Sequence, residues 1–216
     1  MTLDIKICGL RTVEAVRVAA DAGATHIGFV LFPASVRHVP LATLGDLLRE
    51  VPSHVQTVAV LVTPDDKLID DVLAAGRINV LQVHEVDDPV RIAALQDRTG
   101  RPVWRAQGVR TRADVDLGLA YAAVADRILF DARPDQREPG ASAVPGGTGR
   151  TFDWSLLEGV TVPGWGLSGG LTPENVGQAV RRLRPGLVDV SSGVEAARGV
   201  KSADKIIAFV TAARSA

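Results

Sequence analysis

The sequence predicts one (β/α)8 barrel of the TIM type over residues 1–216. Three observations carry that reading: eight strand-like segments, a helix or helix-like segment after each, and no linker or composition break between them. A chain of 216 residues suits a barrel of the smaller kind and is long enough to bury one sizeable core. A doubly wound open sheet is the alternative, but it needs a glycine-rich turn after the first strand, and Cys8-Gly9-Leu10-Arg11 is not one. A half-barrel duplication is also conceivable, although the two halves share no obvious motif.

The first strand alternates. Leu3, Ile5 and Ile7 face one way and Asp4, Lys6 and Cys8 the other, which in a helix-covered sheet sends the polar set into the barrel. Thr12 can cap a helix with apolar positions at Val13, Val16, Ala19 and Ala20, closed by Gly23. His26 to Leu31 is the next strand, and the proline-marked stretch from Phe32 to His38 is a loop before a helix over Leu41 to Leu48. Val55 to Val62 is a strand, Asp65 to Ala74 a helix started with help from Pro64, Ile78 to His84 a strand, and Pro89 to Arg98 a helix. Val103 to Ala106 is a short strand, Arg112 to Ala125 a helix, and Arg127 to Phe130 a strand ending in Asp131. A polar loop from Ala132 to Thr151, suited to a lid or product-release role, precedes a brief helix at Trp154 to Glu158. The last two cycles are Trp165 to Ser168 with Glu174 to Leu183, and Leu187 to Ser191 with Ala203 to Ala213.

Composition narrows the function classes. With 46% hydrophobic and 23% charged residues the chain reads as an ordinary globular protein rather than a disordered one. Its formal charge of −1 supplies no field for nucleic acid or an anionic membrane, so any phosphate must be held locally. The single cysteine excludes an internal disulfide, and the N-terminal stretch lacks the apolar core of a signal peptide. No apolar run approaches membrane-spanning length, and a cytoplasmic location is expected. His26, His38, His54 and His84 are scattered without ligand-like pairing, so no metal is expected.

A barrel of this kind carries its chemistry at the C-terminal ends of its strands. That rule makes neighbours of Cys8, Arg37, His84, Asp131 and the glycine pairs after the last two strands. Cys8 is either a small buried hydrophobe or a thiol whose pKa the ammonium of Lys6 lowers. Asp131 shares the inward face with Arg127 and Leu129; it is a loop cap or an acid facing the thiol across the mouth. Arg37 is a solvated arginine or a planar donor for a carboxylate or phosphate. Gly169 and Gly170, and Ser192 and Gly193 with a short helix beginning near Gly193, either make tight turns or present backbone N–H groups to a phosphate. The loop Gly146-Gly147-Thr148-Gly149-Arg150 lacks the Lys-Ser/Thr ending of a nucleotide P-loop.

Taken in order, these residues resemble one family along essentially the whole chain. The carriers are Lys6-Ile7-Cys8-Gly9, Gly28-Phe29-Val30 with Pro33, Ser35 and Arg37, Gln82-Val83-His84, Asp131, Gly146-Gly147-Thr148-Gly149 with Phe152-Asp153-Trp154, Ser168-Gly169-Gly170-Leu171 with Asn175, and Ser191-Ser192-Gly193-Val194-Glu195. The set resembles phosphoribosylanthranilate isomerase of tryptophan biosynthesis. The resemblance implies an Amadori rearrangement without a cofactor, on a small phosphorylated substrate. In it Asp131 is the general acid, Cys8 the general base, Arg37 the holder of the anthranilate carboxylate, His84 part of the substrate site, and the loops at Gly169-Gly170 and Ser192-Gly193 the phosphate site.

The chain departs from the family pattern at three places: the family usually has glycine at Glu85, proline at Val36, and aspartate at Ser202. Two other readings stand beside it. The related histidine-pathway barrel isomerase uses an aspartate where Cys8 stands, and a non-catalytic sugar-phosphate-binding protein would need neither Cys8 nor Asp131. Ribulose-phosphate epimerases would need metal-binding histidines that are missing here. Monomer and homodimer both remain open.

Overall fold

Alternation along β1 (Asp4–Cys8) separates the two faces of the sheet. Ile5 and Ile7 enter the apolar layer shared with the helices, while Lys6 and Cys8 turn into the barrel. The computed structural model describes residues 2–132 and 152–216. β1 is followed by α1 (Val13–Asp21), β2 (His26–Val30), α2 (Leu41–Arg49), β3 (Gln56–Val62) and α3 (Asp66–Ala74). Next come β4 (Val80–His84), α4 (Pro89–Thr99), β5 (Val103–Val109), α5 (Arg112–Ala120) and β6 (Arg127–Ala132). A 3-10 turn at Trp154–Leu157 leads to β7 (Gly166–Leu167), α6 (Val176–Leu183) and β8 (Leu187–Val190). The chain ends with a hairpin, β9 (Glu195–Ala197) and β10 (Val200–Lys201), and α7 (Ala203–Arg214).

The eight parallel strands close in sequence order, with β8 beside β1. The closing register sets Asp4 opposite Leu187 and Lys6 opposite Asp189. Because a side chain alternates at every residue, that register decides which groups share the interior. Val58, Val60, Val80, Trp104, Leu129 and Leu187 fill it, with Cys8 packed against them. Below, Arg127 pairs with Asp4 at 2.9 Å and lies over Trp104 at 4.6 Å. The interior is therefore a packed plug, as in barrels whose chemistry lies at the upper rim.

Local chemistry accounts for the helix starts. Thr12 accepts from Ala15 N at 3.2 Å, as its position predicts. Beside Pro64 the capping residue is Asp65, which accepts from Leu68 N at 2.8 Å, and Asp88 caps α4 ahead of Pro89. Several expected boundaries move. β5 runs three residues past Ala106 to Val109, α5 stops at Ala120 rather than Ala125, and α6 begins at Val176 because Thr172 to Asn175 form a hydrogen-bonded turn. The short helix expected near Gly193 is one 3-10 turn, Ser192–Val194, followed by the β9–β10 hairpin. The hairpin folds around the Glu195 carboxylate, which accepts from Gly199 N at 3.0 Å. The expected lid, with Gly146 to Arg150, lies outside the described residues.

Where the family pattern has glycine, Glu85 takes a left-handed backbone, φ 55°, just after β4. An L residue there costs roughly 1–2 kcal/mol, against roughly 0.5–1 kcal/mol of extra chain entropy lost when glycine folds. The Glu85 side chain is exposed. Glu85→Gly is therefore expected to raise the unfolding free energy by about 0.5 kcal/mol. Urea titration of both proteins checks it, and a fall in stability would refute the strain argument.

Candidate active site

The strand ends gather most of the residues singled out from sequence. Cys8, Ser35, Arg37, His84, Asp131 and Asp189 line one cleft at the upper rim. Gly170, Ser192 and Gly193 line an adjoining recess beside Lys205. Gly169 belongs to the wall behind Asp131: a Cβ there would lie 2.3 Å from Ala132 N and 2.9 Å from Asp131 Oδ1.

At the centre lies a buried ion pair. Lys6 Nζ donates to Asp189 Oδ1 at 2.9 Å, and Ser168 Oγ donates to Asp189 Oδ2 at 3.2 Å. The Lys6 side chain has no exposed surface. Burial works hardest against the ammonium, yet the charges of Asp189 and Cys8 outweigh it and the Lys6 pKa ends raised. Gly28 on β2 leaves room for this arrangement, since a Cβ there would come within 3.1 Å of both Cys8 Sγ and Lys6 Nζ.

The two reactive candidates sit on either side of that pair. Burial pushes the Cys8 thiol up, Lys6 pulls it down, and Asp189 pushes it up again, with the net direction upward. Lys6 does pull the Cys8 pKa down as expected, but desolvation of the thiolate outweighs it and the net shift is upward rather than downward. Asp131 is pushed up to about 7, first by burial and then by Asp189, against the Ala132 backbone donor, Lys6 and Ser168. A carboxyl group with that value still carries its proton in part at neutral pH, which is what a general acid needs.

Arg37 is neither solvated nor solitary. Its Nε and Nη2 reach the two Glu195 oxygens at 2.7 and 3.0 Å. Lys201 Nζ shares Glu195 Oε1 at 3.1 Å and donates to Ser191 O at 2.8 Å. Among the described residues, two cations thus share one carboxylate in this buried cluster at the cleft. In the recess, Asn175 Oδ1 accepts from Thr172 N at 2.8 Å and its Nδ2 donates to Gly170 O at 3.0 Å, fixing the turn. A Cβ on Gly193 would fall 1.9 Å from Leu171 O, so only glycine lets the two loops meet.

Sequence reasoning gave no role to Asp189, Ser168, Glu195, Lys201 or Gln82. Alternation along β8 puts Leu187, Asp189 and Ser191 on one face, a signal that could have pointed to Asp189. The pairs themselves, Lys6 with Asp189 and Arg37 with Glu195, span 183 and 158 residues and need the closed barrel. Among the described residues no group of three or more His, Cys, Asp or Glu side chains is placed to hold a metal.

Residues 5–212 match the family described as N-(5'phosphoribosyl)anthranilate (PRA) isomerase. The chain belongs to that family. It is 48% identical to the N-(5'-phosphoribosyl)anthranilate isomerase of Azorhizobium caulinodans, over 100% of this chain and 93% of the relative. Identity to the protein of the same name from Paracoccus denitrificans is 46%, over 99% and 98%. The crystal structure of phosphoribosyl anthranilate isomerase from Thermotoga maritima superposes over all of both chains with a TM-score of 0.86 at 33% identity. A phosphoribosyl anthranilate isomerase solved with reduced 1-(o-carboxyphenylamino)-1-deoxyribulose 5-phosphate gives 0.83 at 32%, again over both whole chains. The chain is accordingly an aldose–ketose isomerase of tryptophan biosynthesis with the TIM-barrel fold. Among the described residues no helix is long and apolar enough to cross a membrane.

Of the three departures from the family pattern, Ser202 keeps a capping role, accepting from Lys205 N at 3.4 Å. Val36 presents its carbonyl to Arg11 at 2.6 Å. Asp189→Asn is expected to leave the buried Lys6 charge uncompensated and to lower stability by about 3 kcal/mol, read by equilibrium denaturation. The same variant should bring the Asp131 carboxyl below about 7, read by carboxyl NMR titration. An unmoved Asp131 would remove Asp189 from the site's electrostatics.

Proposed function

We propose that Asp131 and Cys8 carry out, as acid and base, the Amadori rearrangement of N-(5'-phosphoribosyl)anthranilate to 1-(2-carboxyphenylamino)-1-deoxy-D-ribulose 5-phosphate. The observation that carries this reading is a buried carboxyl held at about 7 in the same cleft as a lone buried thiol that adjoins an ammonium. Asp131 gives its proton to the ribose ring oxygen as the bond from that oxygen to C1' breaks, and the amine lone pair forms the Schiff base. The Cys8 thiolate takes the C2' proton. The electrons of that C–H bond become the C1'–C2' double bond of a neutral enolamine, which tautomerises to the ketose.

Arg37, held flat by Glu195, is the partner for the anthranilate carboxylate. The N–H groups around Gly170, Ser192 and Gly193, with Gly169 fixing the approach from the Asp131 side, are the phosphate site. His84 belongs to the substrate side of the cleft as a neutral imidazole. A cytoplasmic location and a monomeric or homodimeric state complete the reading; the Thermotoga maritima protein has been solved in monomeric forms generated from a dimer.

The productive form pairs a protonated Asp131 with an ionised Cys8. Because the carboxyl is at about 7 and the thiol above its ordinary 9.0, this is the minor of the two singly protonated forms. The singly protonated population grows as pH rises through about 7 and shrinks as the thiol ionises. A bell is expected for kcat/KM, with its acidic limb near 7 set by the acid and its alkaline limb by the base. An alkaline limb near 7, with activity maximal below it, would place the thiol below the carboxyl and overturn this order of the two groups. Cys8→Ser and Asp131→Asn are each expected to cut kcat by about 1000-fold or more. Decay of substrate fluorescence, with the next pathway enzyme supplied, measures it, and near-native turnover in either variant would strip that residue of its role.

A further inference from the structure

Gln82 lies in the middle of β4, where Leu81 and Val83 pack outward and Val80, Gln82 and His84 share the inward face. Its side chain is buried and lines the cleft that holds Cys8 and Asp131. One end of the carboxamide is engaged, Nε2 standing 3.1 Å from His84 Nε2. The other is not: Oε1 is buried with no hydrogen-bond partner. A buried acceptor left unmet costs about 1–3 kcal/mol. Of its neighbours opposite in the strand register, Val60 has no side-chain donor and the Trp104 indole makes no hydrogen bond to this oxygen.

We propose that Gln82 binds a hydroxyl group of the substrate's sugar, with His84 as the positioning residue that fixes its carboxamide. This rests on the reading of Cys8 and Asp131 as base and acid on a phosphoribosyl compound. The choice of a hydroxyl follows from donor and acceptor chemistry. Oxygen and nitrogen of a carboxamide can exchange places by a half-turn, so the atom left unpaired is an acceptor in one orientation and a donor in the other. The substrate's phosphate and carboxylate only accept, and its amine N–H only donates. A sugar hydroxyl does both and meets either orientation. The His84 side supports the arrangement. Burial first, then Lys6 and Arg105, hold its imidazole down at about 4, so near neutral pH the ring keeps a lone pair for the Gln82 N–H.

The variant Gln82→Met keeps the length of the side chain and removes both polar atoms. For a residue serving the fold, that change lowers the melting midpoint. For a residue whose acceptor waits for substrate, it leaves the midpoint unchanged or raises it. The expected result is a retained or raised midpoint, kcat within twofold of wild type, and a KM about tenfold higher, one hydrogen bond's worth. As separate competitive inhibitors, ribose 5-phosphate should weaken by about the same factor and anthranilate should be unaffected. A wild-type KM, a lowered midpoint, or a loss shared by anthranilate overturns the proposal. Wild-type protein without turnover would instead overturn the acid–base reading beneath it.

Discussion

The pair of Lys6 and Asp189 is the constraint on which the rest of this barrel depends. It joins β1 to β8 at the closing register, and its charges act on both Cys8 and Asp131. Buried ion pairs are poor sources of stability, because an apolar pair of similar volume does as well or better. Here the pair does something an apolar pair cannot. It keeps a positive charge next to a buried sulfur and a negative one near a buried carboxyl, so the acid is weakened while the thiolate retains one favourable neighbour. Gly28 keeps the space beside sulfur and ammonium free of a side chain, and Ser168 ties the far oxygen of Asp189.

The opposition of burial and charge explains why, for the proposed roles of Asp131 and Cys8, the resting protein holds its protons the wrong way round. Desolvation raises both the carboxyl and the thiol, and the charge pair only partly offsets it for sulfur. The rare form that remains pairs a comparatively strong base with a comparatively strong acid. Such a site gives up population and gains reactivity, a compromise suited to taking a proton from carbon.

Much of the architecture was legible in the sequence, because the barrel is written in local patterns. Alternation placed Asp4, Lys6 and Cys8 inside, and Thr12 marked a helix start through the hydrogen bond it makes. The site was legible as residue types at strand ends. What stayed hidden were partners distant in sequence. Arg37 reads as a free guanidinium until the hairpin brings Glu195 and Lys201 to it, and the hairpin itself hid behind a glycine pair suggestive of a helix. The thiol's direction of shift also escaped, since local sequence shows the nearby ammonium but neither its carboxylate partner nor the loss of water.

The distance along the chain between Lys6 and Asp189 has a consequence for synthesis. A ribosome makes β1 well before β8, 183 residues separating the two charges. Until the final strand emerges, the inner face of β1 holds an ammonium that no carboxylate at that seam can neutralise, so desolvating it early is penalised. The growing polypeptide is thereby held back from sealing a seven-stranded cylinder around a missing stave. Arrival of β8 is what makes the interior electrically acceptable, and the cleft that holds Cys8 and Asp131 comes into being at the same moment as the closure of the barrel.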